Sequence, residues 1–338
     1  MQGHSTGSAL TALLKWLVLS AGLALCAQQT CAQDYQPPRT PWGSPDLQGV
    51  WSNETLTPFE RPANQADQAY VTEAQARAAA QRLAQRVAAD ASDRTGQATP
   101  PPAGGNVGAY NLGWMDFGTQ VVSTRRSSLV IDPANGRVPV RAAALRARER
   151  AQRASFDDPE HMSVWDRCIT RGMPGGMFPA RYNNYYRILQ TPDFMLIFYE
   201  MIHEARIIPM DGRPRLRGLR NWNGQPRGRW EGDTLLIETR GYNAKGWIAT
   251  SGSQGRVKGI RHTDALQVVE RFRRISDDTI LWQTTIDDPE VYTTAWTVEI
   301  PMVSRAGSKI YEYACHEGNQ AVGNILRGAR VQAALNDS

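Results

Sequence analysis

The stretch that decides the fold lies in the C-terminal half of the chain, where residues 268–286 read VVERFRRISDDTILWQTTI. Two runs rich in β-branched and aromatic residues flank the turn-forming sequence Ser276-Asp277-Asp278. β-Branched and aromatic side chains favour extended strands, and Ser and Asp favour tight turns. The stretch therefore predicts an antiparallel hairpin of two strands, 268–275 and 279–286.

Further strands are predicted on both sides of this hairpin. A second hairpin turns within Trp230–Leu235, and four more strands are predicted at 194–199, 205–209, 292–301 and 309–317. Short strands at this spacing, with turn signals and no long helix between them, are typical of an antiparallel meander or barrel. We therefore predict a mainly β fold, whose barrel core occupies residues 185–338.

Residues 33–184 are predicted to cover this barrel as part of the same domain. The first part, residues 33–69, is rich in proline, which fixes φ and lacks a backbone donor, so we expect an extended arm. Its expected anchors are apolar side chains: Trp42, Leu47, Trp51, Leu56 and Phe59.

Two or three helices are expected to flank the barrel. The capping-box pattern Thr72-Glu73-Ala74-Gln75 predicts a helix that runs to about residue 89. A loop is predicted at 91–108, a hairpin at 121–140 with its turn at Asn135-Gly136, and an Arg-rich helix after it.

The first 32 residues have the pattern of a signal peptide. Lys15 precedes an apolar run of about a dozen residues, and Thr30-Cys31-Ala32 forms an acceptable cleavage site. The run is shorter than the roughly 20 residues that cross a bilayer. A lipid anchor on Cys26 is the weaker alternative, because Leu25 stands where a small residue is preferred. We expect a periplasmic or secreted protein without a membrane span.

The chain is weakly basic, with a formal net charge of +5 at pH 7. Five arginines crowd residues 141–153. A nucleic-acid surface can look like this, but a solvated helix face is the better interpretation in an exported protein. The expected partner is a small molecule and no nucleic acid, and the sequence does not indicate an oligomeric state.

Two cysteines, Cys168 and Cys315, remain after the predicted signal peptide. A pair of cysteines in an oxidising compartment usually forms a disulfide, and two buried thiols are the alternative.

Polar side chains are unusually dense in residues 199–206. Alternation along an unbroken strand would put Glu200, Glu204 and Arg206 on one face, and Tyr199 and His203 on the other. A barrel interior lined in this way could exchange protons or bind a carboxylate. The competing interpretation is a structural Arg–Glu pair that ties neighbouring strands together.

The predicted strand 309–317 carries a second polar set. Glu312 and His316 would share one face, and a carboxylate can orient an imidazole as a general base. A metal site built from His203, His316, Glu200 and Glu312 is a less favoured alternative, so neither a metal nor another cofactor is predicted.

Several other side chains are candidates for substrate binding. They are Arg167, Asn183, Asn184, Tyr185, Tyr199, Arg206 and Trp230. The glycine-rich stretch 171–177 is expected to act as a flexible lid over a pocket, with loop packing as its alternative role.

The chain resembles a family of secreted bacterial proteins with the general appearance of lipocalin-like barrels. The resemblance rests on Arg39–Gly43 with Pro45–Gly49, Asp166–Cys168, Glu200–Arg206, Gly228–Leu235 and Tyr311–Asn319, and spans nearly the whole predicted mature chain. It implies a lipocalin-like barrel, a fold that serves both carriers and non-redox enzymes.

Two functions follow from these patterns. The first is a cofactor-free lyase, hydratase or isomerase that uses Glu200 or Glu204 with His316 as acid and base in a barrel cavity. The second is a periplasmic carrier or sensor that binds a hydrophobic small ligand without chemistry. The polar density of the two predicted strands favours the enzyme, since a carrier of apolar molecules would line its cavity with aliphatic side chains.

Overall fold

The computed structural model describes residues 35–92, 112, 115–305 and 307–336. The described residues from Pro37 onward belong to one compact unit, and Tyr35 and Gln36 belong to a separate N-terminal unit. The predicted signal peptide and nearly all of the predicted loop 91–108 lie outside the described residues.

Within the described residues the chain forms ten strands and three α-helices. The strands are β1 (Gly49–Ser52), β2 (Val130–Asp132), β3 (Tyr185–Gln190), β4 (Phe194–Tyr199), β5 (Ala205–Pro209), β6 (Gln225–Glu231), β7 (Thr234–Arg240), β8 (Gln267–Ser276), β9 (Thr279–Asp287) and β10 (Trp296–Ser304). The helices are α1 (Glu73–Ser92), α2 (Ala142–Arg153) and α3 (Ala321–Asn336).

The strands form one antiparallel sheet that nearly closes into a barrel, which confirms the predicted lipocalin-like architecture. Their order is β5-β4-β3-β1-β10-β9-β8-β7-β6, and β2 adds to β10. The order consists of two meanders, β3–β5 and β6–β10, joined through β1. The ends of the order, β5 and β6, are not joined by a ladder within the described residues; we call this boundary the seam.

The barrel interior is filled by alternate side chains of the strands. Phe272 of β8 stands opposite Trp282 of β9, which in turn stands opposite Ile300 of β10, and all three are fully buried. Trp282 also contacts the ring of Phe178, which packs on Phe59 with ring centroids 4.7 Å apart. Each buried side chain of this size stabilises the fold by about 1.5–3 kcal/mol. Aromatic packing therefore occupies the space where the sequence predicts a ligand cavity.

The Pro-rich arm contributes more to the sheet than the sequence predicts, because its residues 49–52 form β1 between β3 and β10. The side chain of Gln190 binds the arm, accepting from the Leu47 N–H at 2.6 Å and donating to the Pro45 carbonyl at 3.0 Å. Three of the five predicted anchors, Leu47, Trp51 and Phe59, are buried. Leu56 is half-buried and Trp42 is exposed.

The hairpins 225–240 and 267–287 are confirmed, and the hairpin predicted at 121–140 is wrong. Its residues 130–132 form β2, which pairs with β10 instead of with a neighbour in the chain. The predicted strand 309–317 is also wrong, since these residues form a coil and a turn. The disulfide at Cys315 and contacts with the β4–β5 connection hold this segment in place of a ladder.

The helices α1 and α2 are confirmed. The capping box of α1 is formed by Thr72 and Gln75, whose side chains each bind the other's backbone N–H, at 3.2 and 2.7 Å. The helix α3 was not predicted from the sequence and is revealed by the structure. None of the described helices is long and apolar enough to span a bilayer.

Candidate functional site

The predicted acid–base strand 199–206 is interrupted, because residues 200–204 turn the chain from β4 into β5. Phe198 pairs with Ala205, so the two strands form a hairpin. Ile202 and His203 both have positive φ, at 62° and 43°, in the left-handed region. The expectation that alternation places Glu200, Glu204 and Arg206 on one face is therefore wrong.

Arg206 lies inside the barrel, where both terminal nitrogens of its guanidinium are paired and its Nε has no partner among the described residues. Its Nη1 donates to Oε1 of Glu270 at 2.9 Å, and its Nη2 donates to the other carboxylate oxygen and to the Thr239 hydroxyl. Tyr199 is buried close by, whereas Trp230 is half-buried on β6. The structure contains a buried Arg–Glu pair, as the competing interpretation expects, but its carboxylate is that of Glu270 on β8, and β5 and β8 are not neighbours in the sheet.

Glu204 is half-buried and held by polar neighbours. Its Oε2 accepts from the Thr170 hydroxyl at 2.9 Å, and its Oε1 accepts from the Asn223 amide. Burial raises the pKa of Glu204, and the hydrogen bonds from Thr170 and Asn223 oppose this rise. These contacts fix the carboxylate between two loops.

Glu200 and His203 meet the C-terminal segment outside the barrel. The Tyr311 N–H lies 3.4 Å from Glu200 Oε1, and His203 Nδ1 lies 2.6 Å from the Tyr313 carbonyl oxygen. Burial raises the pKa of Glu200, and hydrogen bonds from the Asn183 side chain and the Tyr311 N–H oppose this rise. His203 and Glu312 line one open cleft of about 520 Å³; we call it the His203 cleft.

His316 does not join this cleft. Its side chain is exposed in the turn 315–318. The predicted mechanism requires His316, Arg206 and a Glu of the β4–β5 connection to line one pocket. The structure instead places Arg206 inside the barrel and His316 on the surface, so that geometry is wrong.

Asn184 and Tyr185, which we expected to bind substrate, lie beside a pair of carboxyl groups that the sequence does not reveal. The Asn184 amide is used structurally and donates to the Asp116 carbonyl at 2.8 Å. Burial and the neighbouring Glu54 raise the pKa of Asp116 to about 7. Glu54 itself is paired with Arg305. Asp116 therefore stays protonated, beside the ionised carboxylate of Glu54, at pH values well above the ordinary pKa of an aspartate.

The predicted disulfide between Cys168 and Cys315 is confirmed, with a Cα–Cα distance of 5.7 Å. It joins the segment 163–171 to the turn that precedes α3. Arg167, beside Cys168, is half-buried, and its Nε is sealed from solvent without a partner among the described residues.

A pocket of about 280 Å³ lies on this flank of the barrel, against α2 and α3. We call it the Trp165 pocket. Its lining combines aromatic and apolar side chains with cations and hydroxyls: Arg148, Ala151, Gln152, Ser155, Phe156, His161, Met162, Ser163, Trp165, Asp166, Trp247, Thr250, Lys258, Gly259 and Ile325. Its volume is close to the lower end of known ligand pockets.

Local hydrogen bonds shape the segment that carries Trp165. The Ser163 hydroxyl accepts from the Asp166 N–H at 3.0 Å and donates to the Asp166 carboxylate at 2.7 Å, which closes a turn around Trp165. Before it, the Asp158 carboxylate accepts from the N–H groups of Glu160 and His161. Trp165 is thus presented by a fixed turn.

The glycine-rich stretch 171–177 lies against the backbone of Trp247 and Ile248 and is not a lid. A Cβ at Gly172 would lie 2.2 Å from the Trp247 carbonyl oxygen, and one at Gly175 would lie 1.9 Å from the Ile248 carbonyl oxygen. Only glycine permits this approach of the two backbones. Met173 and Met177 are buried in the core. The prediction of a flexible lid is therefore wrong, because the stretch is packed against the backbone of Trp247 and Ile248.

Three residues that line the Trp165 pocket each contain a polar atom that is sealed from solvent and has no hydrogen-bond partner among the described residues. The atoms are Arg148 Nε, His161 Nδ1 and Thr250 Oγ1. Thr250 is only 3 % exposed. His161 Nδ1 lies 3.3 Å from Asp158 Oδ2 without hydrogen-bond geometry. Because solvent does not reach these atoms, they lie behind the lining of the pocket and do not face its open space.

The sequence did not single out Trp247, Thr250 or Arg148. They come from different segments of the chain, and each is unremarkable in its own context. Within the described ranges, no cluster of three or more His, Cys, Asp or Glu side chains is placed to hold a metal ion.

Comparison of the chain with protein-family models, with curated proteins and with solved structures gives no match.

Proposed function

We propose that the protein is a binding protein for a small aromatic molecule, which it takes up in the Trp165 pocket. The observation that carries this proposal is the lining of the pocket, in which Trp165 and Trp247 surround one space together with polar residues such as Gln152 and Ser155. This is the carrier or sensor alternative, with its site moved from the barrel interior to the flank.

The walls favour a flat ligand. Trp165 and Trp247 are half-buried and line the pocket together with Met162. Aromatic rings stack or meet edge to face with such side chains, and these contacts add about 0.5–1.5 kcal/mol beyond the buried area. Polar residues of the same lining, such as Gln152 and Ser155, would bind one polar substituent of the ligand.

Isothermal titration calorimetry with a panel of small neutral aromatic alcohols, led by cinnamyl alcohol, tests the proposal. We expect saturable binding at one site, weakened at least about tenfold in Trp247→Leu, since an aromatic wall is lost. The matched control is Trp42→Leu, which changes an exposed tryptophan outside the pocket and should leave binding unchanged. Absence of binding by the whole panel, or equal binding by Trp247→Leu, would contradict the proposal.

The His203 cleft supports a second candidate, a cofactor-free enzyme that moves a proton. A carbonyl oxygen only accepts hydrogen bonds, so the contact with Tyr313 requires the proton of the neutral imidazole to be on Nδ1. Nε2 is then the basic nitrogen of His203, in a cleft that also contains Glu312. Glu200 lies behind Tyr311 and outside the lining of the cleft, where its carboxylate accepts from the Tyr311 N–H and positions the segment that carries Glu312.

Deuterium exchange tests this second candidate. A library of unsaturated and hydroxylated aromatic acids is incubated with the protein in deuterium oxide, and incorporation at carbon is followed by mass spectrometry. A proton-transfer enzyme should label at least one compound, and His203→Gln should abolish the label. His316→Gln is the control, because that exposed imidazole is outside the cleft. No labelled compound, or equal labelling by His203→Gln, would remove this candidate.

A further inference from the structure

The connection between β5 and β6 projects two leucines into solvent. Leu216 is 66 % exposed and Leu219 is 43 % exposed, on either side of a turn at Arg217 and Gly218. Gly218 has a φ of 74°, which favours glycine, and no neighbouring atom lies within 4 Å of the position of a Cβ on it. The turn therefore faces open solvent; we call residues 216–219 the leucine tip.

Side chains of β6 hold the leucine tip in this position. The side-chain oxygen of Gln225 accepts from the Leu216 N–H at 2.8 Å, and its amide nitrogen donates to the carbonyls of Leu216 and Leu219, each at 2.9 Å. The two leucine carbonyls are close together, since they share one donor. Arg227 of the same strand donates to two further backbone carbonyls that precede the tip. Hydrogen bonds, and not apolar packing, therefore fix the exposed leucines.

Arginines surround the leucine tip. Residues 211–220 contain four arginines and one acid. Two of the four pair with exposed aspartates, whereas Arg217, within the tip, is exposed and has no ion pair with a described residue. Burial and the neighbouring cations Arg227 and Arg240 lower the pKa of Arg215. The surface around the two leucines is therefore positively charged.

The combination of apolar and cationic side chains in one fixed turn indicates the kind of partner. Apolar side chains leave water favourably when they enter the acyl boundary of a bilayer, and arginines beside them can stay at the level of the headgroups. A guanidinium also matches the oxygens of a phosphate. An acidic protein or a nucleic acid would pair with the arginines but would offer the leucines a polar surface.

We propose that the leucine tip binds the surface of a bilayer that contains anionic lipids. Leu216 and Leu219 enter below the headgroups, and Arg217 binds their phosphates. The tip shares no residue with the lining of the Trp165 pocket, so the inference is independent of the proposed function.

Co-sedimentation with lipid vesicles tests the inference. The wild-type protein should bind vesicles made of equal parts of phosphatidylglycerol and phosphatidylcholine, and should bind pure phosphatidylcholine at least about tenfold more weakly, because several arginines lose their attraction to the surface. Added salt should weaken binding to the mixed vesicles, since it screens exposed charges. No binding to the mixed vesicles, or equal binding to the two kinds, would overturn the inference.

Two double variants of exposed leucines form a matched pair. Leu216→Ser/Leu219→Ser should weaken binding to the mixed vesicles at least about tenfold, because the inserted side chains are lost. Leu189→Ser/Leu335→Ser changes leucines outside the tip that are 46 % and 64 % exposed, and should bind like the wild type. Both variants should keep the wild-type circular dichroism spectrum, since all four side chains are exposed. Equal binding by the two variants would contradict the assigned surface.

The cation of the tip is tested in the same way. Arg217→Gln should weaken binding to the mixed vesicles about fivefold. Arg150→Gln changes an exposed arginine of α2 and should leave binding unchanged. Equal weakening by the two variants would mean that total charge, and not the tip, attracts the protein to the vesicles, and would overturn the inference.

Tryptophan fluorescence distinguishes insertion from attachment by charge alone. On mixed vesicles Leu216→Trp should add emission that is shifted to shorter wavelength relative to its emission in buffer, whereas Leu335→Trp should show no such shift. The absence of a shift in Leu216→Trp would overturn the inserted position of the leucines. Binding of soluble polyglutamate without binding of the vesicles, weakened in Arg217→Gln, would instead assign the tip to an acidic protein partner and overturn the inference.

Discussion

The guanidinium of Arg206 on β5 is paired with the carboxylate of Glu270 on β8 in the interior of the barrel, and the two side chains are 4 % and 0 % exposed. Because β5 and β6 are the unjoined ends of the sheet, this contact crosses the seam. The Thr239 hydroxyl of β7 completes the site by accepting from the same guanidinium. A polar cluster thus closes the barrel where the backbone ladder does not.

Arg206→Met should lower the free energy of unfolding by about 3–5 kcal/mol, because it leaves the charge of Glu270 buried and unpaired. The double variant Arg206→Met/Glu270→Leu should recover a large part of this loss. Urea denaturation followed by circular dichroism measures both. Arg213→Met is the control, since its partner Asp211 is also exposed, and it should leave stability unchanged. A single variant at Arg206 as stable as this control would contradict the assigned role.

Replacing Cys168 and Cys315 by serine should lower the free energy of unfolding by roughly 4–5 kcal/mol on the chain-entropy model, since the bridge closes a loop with a sequence separation of 147 residues. Labelling of the unfolded, unreduced protein with a thiol reagent, followed by peptide mass spectrometry, should leave both cysteines unmodified. Quantitative labelling of both would show that the bridge does not form.

Stability should fall as the pH rises toward 7, because of Asp116. Its pKa is raised from 3.8 to about 7 in the folded protein, so the folded state holds the proton more tightly than the unfolded state between these values. The stabilisation is complete at acid pH and is lost as the pH passes through the folded pKa. Asp116→Asn should remove this dependence, measured by denaturant unfolding at several pH values.

Asp211→Asn provides a control of opposite sign for that measurement. Hydrogen bonds from Arg213 lower the pKa of Asp211 to about 2. Its contribution to the free energy of unfolding is therefore complete above pH 3.8 and is lost as the pH falls toward about 2. Asp211→Asn should leave the slope of the free energy of unfolding against pH unchanged between pH 4 and 7. If Asp116→Asn shows the same slope in that window as the wild-type protein, the pH dependence belongs to another group.

Thr250→Val should leave stability within about 1 kcal/mol of the parent or raise it, because it removes a buried hydroxyl without a partner. Thr284→Val is the matched comparison, since that hydroxyl is also buried and unpartnered and lies in the barrel interior. Urea denaturation should give the same result for the two variants. A loss of more than about 2 kcal/mol in Thr250→Val would show that its hydroxyl has a partner in the folded protein.

The sequence predicts those parts of the fold in which local signals and tertiary packing agree. The β8–β9 hairpin has a polar turn between apolar strands, and α1 has its capping box. The β4–β5 turn was missed because it contains no glycine or proline, and Ile202 adopts a left-handed conformation that its neighbours impose.

The C-terminal segment misled the prediction for a related reason. Tyr311 and Tyr313 alternate with smaller or polar residues as in a strand, yet the disulfide and the contact of Tyr313 with His203 dock the segment without a ladder. The helix α3 contains two glycines, which weaken its local signal.

The candidate site could be predicted only in part. Two cysteines without alternative partners were enough for the disulfide. The Trp165 pocket could not be predicted, because Arg148, Trp165, Thr250 and Ile325 are contributed by separate segments whose encounter depends on the whole topology.

The sheet order has a consequence for how the barrel opens. The meanders β3–β5 and β6–β10 are connected through β1, whose four residues form the shortest link in the barrel. The seam lies on the other side, so the two meanders are joined by one short strand, β1, and by the Arg206–Glu270 pair, which we call the clasp. Backbone amides of β8 and β9, flanked by ladders on both sides, should exchange with solvent only on global unfolding. Amides at the free edge of β5 exchange whenever the clasp between Arg206 and Glu270 releases, so local opening of the barrel begins at that edge.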